Sequence, residues 1–134
     1  MRQILLIFLI FTIFFTSGFK NAKGIILFNN QPINKKNVLT NTKFFSSGNR
    51  IYYLFIAPKR MKNEYIRVQI FKMTDKAPWG GYEVVRTKDF RLMKDERYYH
   101  SDYFVLYEKG KYIMQVFSTE DLQRPLSIGD FYIR

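Results

Sequence analysis

The chain of 134 residues carries a formal net charge of +11, has 47% hydrophobic residues and contains no cysteine. The hydrophobic content excludes a wholly disordered chain, and the length suits one domain with its own core. The lack of cysteine excludes disulfides, thiolate nucleophiles and cysteine-ligated metal centres. The charge favours anionic partners, although a lysine- and asparagine-rich composition set by coding bias would give the same charge.

The N-terminal residues predict a signal for export. The chain begins with a short, positively charged segment, Met1-Arg2-Gln3, which is followed by an apolar run from Ile4 to Phe15, interrupted only by Thr12. The small residues of a cleavage site follow in Thr16-Ser17-Gly18. We therefore expect residues 1–18 to be a signal peptide and residues 19–134 to form a single exported domain, which is periplasmic, on the cell surface or secreted. An uncleaved anchor is the alternative, and would be the only contact with a membrane, although spans usually need about 20 apolar residues.

The remaining sequence predicts short β-strands and no helix. The strands are expected at residues 24–29, 50–57, 64–73, 82–86, 102–107, 111–117 and 128–134, with weaker patterns near 38–39 and 90–92. Their spacing is typical of a sandwich or barrel. The apolar run of residues 50–57 is nearly continuous, so it predicts a central strand covered on both faces. Residues 87–101 are charged and are expected to be largely irregular.

A short motif connects the strand pattern with a known fold. A motif at the start of a predicted strand resembles the tyrosine corner of immunoglobulin-like sandwiches; it consists of Glu108-Lys109-Gly110-Lys111-Tyr112. The resemblance implies an all-β, immunoglobulin-like antiparallel β-sandwich of seven to eight strands. In such a sandwich, strands B, C, E, F and G would be residues 50–57, 64–73, 102–107, 111–117 and 128–134. Met114 stands where antibody domains place a cysteine, so apolar contact would replace the disulfide. A lipocalin-like barrel is the alternative.

No catalytic or metal-binding arrangement stands out. His100, the only histidine, is followed by Ser101 and Asp102, but neighbouring side chains of an extended chain point apart, whereas catalytic triads are assembled from separated segments. The acidic pairs 95–96 and 120–121 lack the spacing of a calcium loop. We therefore predict no enzymatic activity, no cofactor and no metal.

Aromatic and basic residues around 91–103 are the best candidates for a binding site. The predicted partner-binding residues are Trp79, Arg91, Lys94, Arg97, Tyr98, Tyr99, His100 and Tyr103. Exposed rings stack on sugars or bases, and Arg or Lys pairs with carboxylate or phosphate. The same rings can instead simply close the ends of a sandwich. The sequence thus predicts a non-enzymatic module that binds a protein or an anionic surface polymer, without specific nucleic-acid recognition. The alternative is a small ligand-binding or hydrolytic β-protein with a site near Trp79 and residues 98–102.

Overall fold

A computed structural model describes residues 24–74 and 81–134, which form two packed β-sheets. The strands are β1 (Ile25–Asn29), β2 (Phe44–Phe45), β3 (Arg50–Ile56), β4 (Tyr65–Met73), β5 (Tyr82–Arg91), β6 (Tyr99–Val105), β7 (Gly110–Ser118) and β8 (Ser127–Ile133). A short 3-10 turn, Lys94–Glu96, precedes β6. None of the helical segments in these two ranges is long and apolar enough to span a membrane. The predicted signal peptide lies outside the described residues.

The strand order is that of an immunoglobulin-like sandwich. One sheet has the order β1-β3-β6 and the other the order β2-β8-β7-β4-β5. The strands pair antiparallel except for β2 and β8, which run parallel. Strands β3, β4, β6, β7 and β8 take the positions of B, C, E, F and G. The predicted fold class is therefore confirmed, and the barrel alternative is wrong for the described residues because their two sheets share no strand.

Alternating side chains build the main core between the sheets. Ile66, Val68 and Ile70 of β4 are buried, while the residues between them, Arg67 and Gln69, are only half-buried, as the sequence pattern predicts. Tyr112, Met114 and Val116 repeat this pattern on β7. The main core also contains Ile26, Phe28, Phe45, Ile51, Tyr53, Phe55, Ala57, Met61, Leu92, Phe104, Phe131 and Ile133.

A second apolar cluster lies on the outer side of the three-stranded sheet. It consists of Val38, Leu54, Ile56 and Tyr99. Leu54 and Ile56 belong to β3, so both faces of this strand are covered, as its apolar sequence predicts. The predicted strand pattern near 38–39 is wrong. These residues form turns in the connection from β1 to β2. Val38 covers the outer face of the three-stranded sheet, which explains its apolar side chain.

The predicted tyrosine corner is present where β6 passes to β7 in the other sheet. The Tyr112 hydroxyl donates a hydrogen bond of 2.6 Å to the carbonyl oxygen of Glu108. Gly110 has φ +150°, a conformation that L side chains rarely adopt, which explains the glycine. The ring of Tyr112 also stacks on Phe131, with 5.3 Å between centroids. The motif therefore fixes the connection from β6 to β7, which crosses between the sheets, and packs it on the main core.

Two strands begin or end well beyond their predicted bounds. Strand β5 continues to Arg91 rather than ending at Arg86, and β6 begins at Tyr99 rather than at residue 102. Residues 87–91 and 99–101 are thus strand rather than irregular. Strand β5 is the outermost strand of its sheet and is exposed over most of its length, so burial does not impose apolar alternation on it. A bulge at Val85 interrupts its pairing with β4.

The short strand β2 pairs with the last residues of β8 and holds them in place. Tyr132 N donates to Lys43 O at 2.7 Å, and Arg134 N donates to Phe45 O at 2.9 Å. The ring of Phe44 stacks on Tyr132 at 5.2 Å between centroids. The sequence does not predict this strand, because two residues are too few for a periodic pattern.

Candidate functional site

The fold brings two basic segments together at one end of the sandwich. The loop after β3 and the segment before β6 are joined by three backbone hydrogen bonds. These are Ala57 N to Tyr98 O at 2.8 Å, Met61 N to Arg97 O at 2.8 Å and Leu92 N to Glu64 O at 2.5 Å. The resulting surface, which we call the basic end, carries Lys59, Arg60, Lys62, Arg91, Lys94 and Arg97.

Positive charge is in excess at the basic end. Its six basic residues are accompanied in the same two segments by three acidic residues, Glu64, Asp95 and Glu96. Glu64 Oε2 lies 3.4 Å from Arg91 Nε, but both side chains are largely exposed, so this pair contributes little stability. Lys59, Arg60 and Lys94 are exposed. The surface can therefore attract anions by long-range electrostatics.

Arg97 has a structural place within the basic end. Its Nη1 atom donates to the carbonyl oxygen of Lys62 at 3.1 Å, across 35 residues of sequence. Its Nε atom is buried without a hydrogen-bond partner among the described residues. Arg97 is therefore a bridge between the two segments, and its neighbours Lys59, Arg60 and Lys94 are the more accessible charges.

The predicted aromatic residues do not form one surface. Tyr99 is buried in the second cluster, whereas His100, the next residue of β6, faces the main core. Tyr103 is 45% exposed, and the guanidinium of Arg50 lies 4.7 Å from its ring centroid. Tyr98 is half-buried where its carbonyl accepts the bond from Ala57. Trp79 lies outside the described residues.

His100 is held in a buried polar pair. Its Nε2 atom lies 2.9 Å from the hydroxyl of Tyr53, 47 residues away on β3. The ring also packs on Phe90, with centroids 4.2 Å apart. Burial lowers the pKa of His100 to about 4 and raises the pKa of Tyr53, so both groups are neutral at neutral pH. No local pattern in the sequence predicts this pair, because the pair depends on the register between β3 and β6.

The outer edge of β6 has a depression on each face. The inner depression measures about 50 Å³ and faces β5; its lining includes Tyr53, Arg86, Lys88, Phe90 and Asp102. The outer groove measures about 200 Å³; its lining includes Pro32, Ile33, Tyr52, Ser101 and Tyr103. Pockets for small molecules usually measure roughly 300–1,000 Å³, so both are small. The sequence does not predict that Lys88 and Phe90 lie beside β6, because the predicted strand at 82–86 ends before them.

Among the described residues, no group of three or more His, Asp or Glu side chains could hold a metal ion. The consecutive residues His100, Ser101 and Asp102 do not converge. His100 is buried and faces inward, while Ser101 is exposed on the opposite face of β6. Asp102 lies on the same face of β6 as His100 and lines both depressions, so only Ser101 points away from the other two.

Comparison with known proteins finds similarity in structure only. No protein-family model matches the sequence, and no curated protein matches it. The soluble domain of PmoD from a Methylocystis species is similar with a TM-score of 0.49 and 13% identity, over 87% of this chain and 94% of that one. An immunoglobulin-like protein from Pseudomonas aeruginosa has a TM-score of 0.47 and 14% identity, over 86% and 99%. A DNA glycosylase from Pseudomonas fluorescens has a TM-score of 0.42 and 9% identity over 84% of this chain, which spans 31% of the glycosylase.

Proposed function

We propose that this chain is an exported, non-enzymatic immunoglobulin-like module of the cell envelope or extracellular space, which binds a protein or surface polymer of negative charge. The observation that supports this proposal best is the basic end. Two basic segments, far apart in sequence, are joined by backbone hydrogen bonds into one surface with excess positive charge. A charged surface of this kind raises the association rate with anionic partners and makes binding sensitive to salt.

The interior supports binding of a large partner rather than a small ligand. The main core is filled with aromatic and aliphatic side chains, and the two depressions beside β6 measure about 50 and 200 Å³. The imidazole of His100, the most plausible general base, already pairs with Tyr53. A small-ligand or hydrolytic site near residues 98–102 therefore has less support than a surface site.

Charge reversal at the basic end tests the proposed function. The triple variant Lys59→Glu, Arg60→Glu, Lys94→Glu changes exposed residues and leaves the bridging Arg97 in place. The matched control, Lys36→Glu, Lys109→Glu, Arg124→Glu, makes the same change in net charge at exposed positions elsewhere. Both are compared with the parent on heparin-type polysaccharide and on envelope extracts, at low and high salt.

We expect the basic-end variant to lose at least about tenfold in affinity, and the control to lose much less. Parent binding should weaken steeply with added salt, because each neutralised anionic site releases counterions. Equal losses in the two variants would show that only net charge matters, and would reject the basic end as a site.

Export has a separate test. Expression of the complete chain in a bacterial host, followed by intact-mass measurement, should give a protein that begins at Phe19 or within a few residues of it. A chain of full mass in the membrane fraction would indicate an uncleaved anchor. A chain of full mass in the cytoplasm would contradict export.

A further inference from the structure

The outer edge of β6 carries backbone groups that can pair with another strand. Among the described residues, β6 pairs only with β3. The bond from Ala57 N to Tyr98 O continues the register of this pair and fixes which residues bond to β3. Since such bonds alternate along an antiparallel pair, the amide and carbonyl groups of Ser101 and Tyr103 point away from β3. Both residues are exposed.

The two depressions lie on opposite faces of this same edge. The inner depression and the outer groove share Asp102 and Tyr103 in their linings. Side chains along a strand point alternately to the two faces. A strand added beside β6 would therefore place alternate side chains in the inner depression and in the outer groove. In constant-type immunoglobulin domains, a strand of the domain itself occupies this position beside strand E.

The inner depression selects acidic side chains. Arg86 and Lys88 lie opposite Ile70 and Val68 of β4, so they share the face of the sheet that contributes to the core. Strand β5 lies at the edge of a five-stranded sheet packed on a three-stranded one, which leaves these cations beside the edge of β6. Asp102 compensates only one of the two charges. The Nζ atom of Lys88 lies 4.9 Å from the Phe90 ring centroid.

The outer groove selects apolar side chains. Pro32 and Ile33 line it on one side, and the rings of Tyr52 and Tyr103, with centroids 5.5 Å apart, line it on the other. We propose that β6 binds an extended segment of a partner protein, in which acidic and apolar residues alternate, as a fourth strand of its sheet. This inference rests on the proposed function and specifies the chemistry of the partner.

The edge strand β5 and a second copy of the chain fit less well. Strand β5 carries Glu83, Arg86, Lys88, Asp89 and Arg91 and is interrupted by a bulge, which are devices that prevent pairing at an edge. Strand β6 is paired without a register shift over all seven of its residues. A second copy would bring two chains of net charge +11 together, with Arg86 and Lys88 of both near the contact.

A synthetic peptide of about eight residues, alternating Glu and Val and blocked at both ends, is a direct probe of this site. We expect it to bind the purified protein and to slow the amide hydrogen exchange of Ser101 and Tyr103. A peptide of the same composition without alternation should bind at least about tenfold more weakly, as should the alternating peptide with alternate amides N-methylated. These comparisons leave the protein unchanged, so they do not depend on the folding of a variant.

Two protein variants locate the site. Arg86→Glu with Lys88→Glu should weaken binding of the alternating peptide at least about tenfold, whereas Lys109→Glu with Arg124→Glu, of equal charge change and outside both depressions, should not. Ser101→Pro removes the amide that faces the open edge and should also abolish binding, because proline is tolerated at a strand edge but cannot donate.

Several results would overturn the proposal. Equal binding of the N-methylated peptide, or unchanged exchange at Ser101 and Tyr103, would show that the peptide does not pair with β6. Slow exchange at these amides before the peptide is added would show that another segment or a second copy already covers the edge. If the partner captured from envelope extract is lost on reversal of Lys59, Arg60 and Lys94 but kept by the edge variants, the proposed function stands and the edge proposal fails.

Discussion

The three-stranded sheet is covered in different ways on its two faces. Its inner face packs on the five-stranded sheet and forms the main core. Its outer face is covered by the connection from β1 to β2, which includes Val38 and contains no strand. This connection is fastened by hydrogen bonds such as Thr42 N to Phe28 O at 2.9 Å and Asn29 Nδ2 to Thr40 O at 3.0 Å. We therefore expect the outer cover to open locally and the inner core to open only on global unfolding.

The largest effect is expected in the main core. Phe131 is fully buried and contacts the rings of Phe28, Phe104 and Tyr112, with centroids 5.0, 5.5 and 5.3 Å away. Phe131→Ala should lower the free energy of unfolding by about 3–5 kcal/mol, because it removes buried surface and leaves a cavity. Urea denaturation measures this change. A smaller loss for Phe131→Ala than for Val38→Ala, which changes the outer cover, would contradict the distinction between the inner core and the outer cover.

A pH effect of similar size should arise from His100, which faces the inner core. Its pKa is about 4 in the folded protein and about 6.5 when unfolded, so the unfolded state binds more protons between these values. The contribution of His100 is fully present above pH 6.5 and decreases as the pH falls towards 4, by about 3 kcal/mol in total.

Stability measured by urea denaturation from pH 7 to pH 4 tests this dependence. His100→Gln serves as the control, since an amide can still bond to Tyr53 but does not titrate in this range. The difference between parent and variant should shrink steadily as the pH falls. A constant difference would show that His100 titrates alike in the folded and unfolded states.

A smaller and more local effect is expected in the outer cover. Val38→Ala should lower the free energy of unfolding by about 2 kcal/mol, from the lost apolar contact and the cavity. Amide exchange should become faster in residues 34–42 than in β7. Equal acceleration in both segments would show that cover and core unfold together, and would remove the distinction between them.

The smallest effect concerns the tyrosine corner. Tyr112→Phe keeps the ring stacked on Phe131 and removes only the hydroxyl bond to Glu108 O, which should cost about 0.5–1.5 kcal/mol. Gly110→Val should cost more, because a β-branched residue strongly disfavours φ +150°. Thermal melting of both variants provides the test. Melting temperatures equal to that of the parent would show that the corner is dispensable for stability.

The features of the fold that the sequence predicts are those that depend on local spacing or on burial. The corner depends on residues 108–112 alone, and the double coverage of β3 follows from its unbroken apolar run. Strand β5 was predicted too short, because an exposed edge strand has no apolar alternation to reveal it. The basic end, the Tyr53–His100 pair and the neighbours of β6 depend on contacts between distant segments, which no local pattern encodes.

The parallel pairing of β2 with β8 has a mechanical consequence. A stretching force that pulls the start of β2 and the end of β8 apart acts along both strands, because they point in the same direction. The hydrogen bonds from Tyr132 N to Lys43 O and from Arg134 N to Phe45 O are then loaded in shear and must break together. The stacked rings of Phe44 and Tyr132 resist the same sliding motion. We therefore expect this strand of two residues to resist a force applied between these two points.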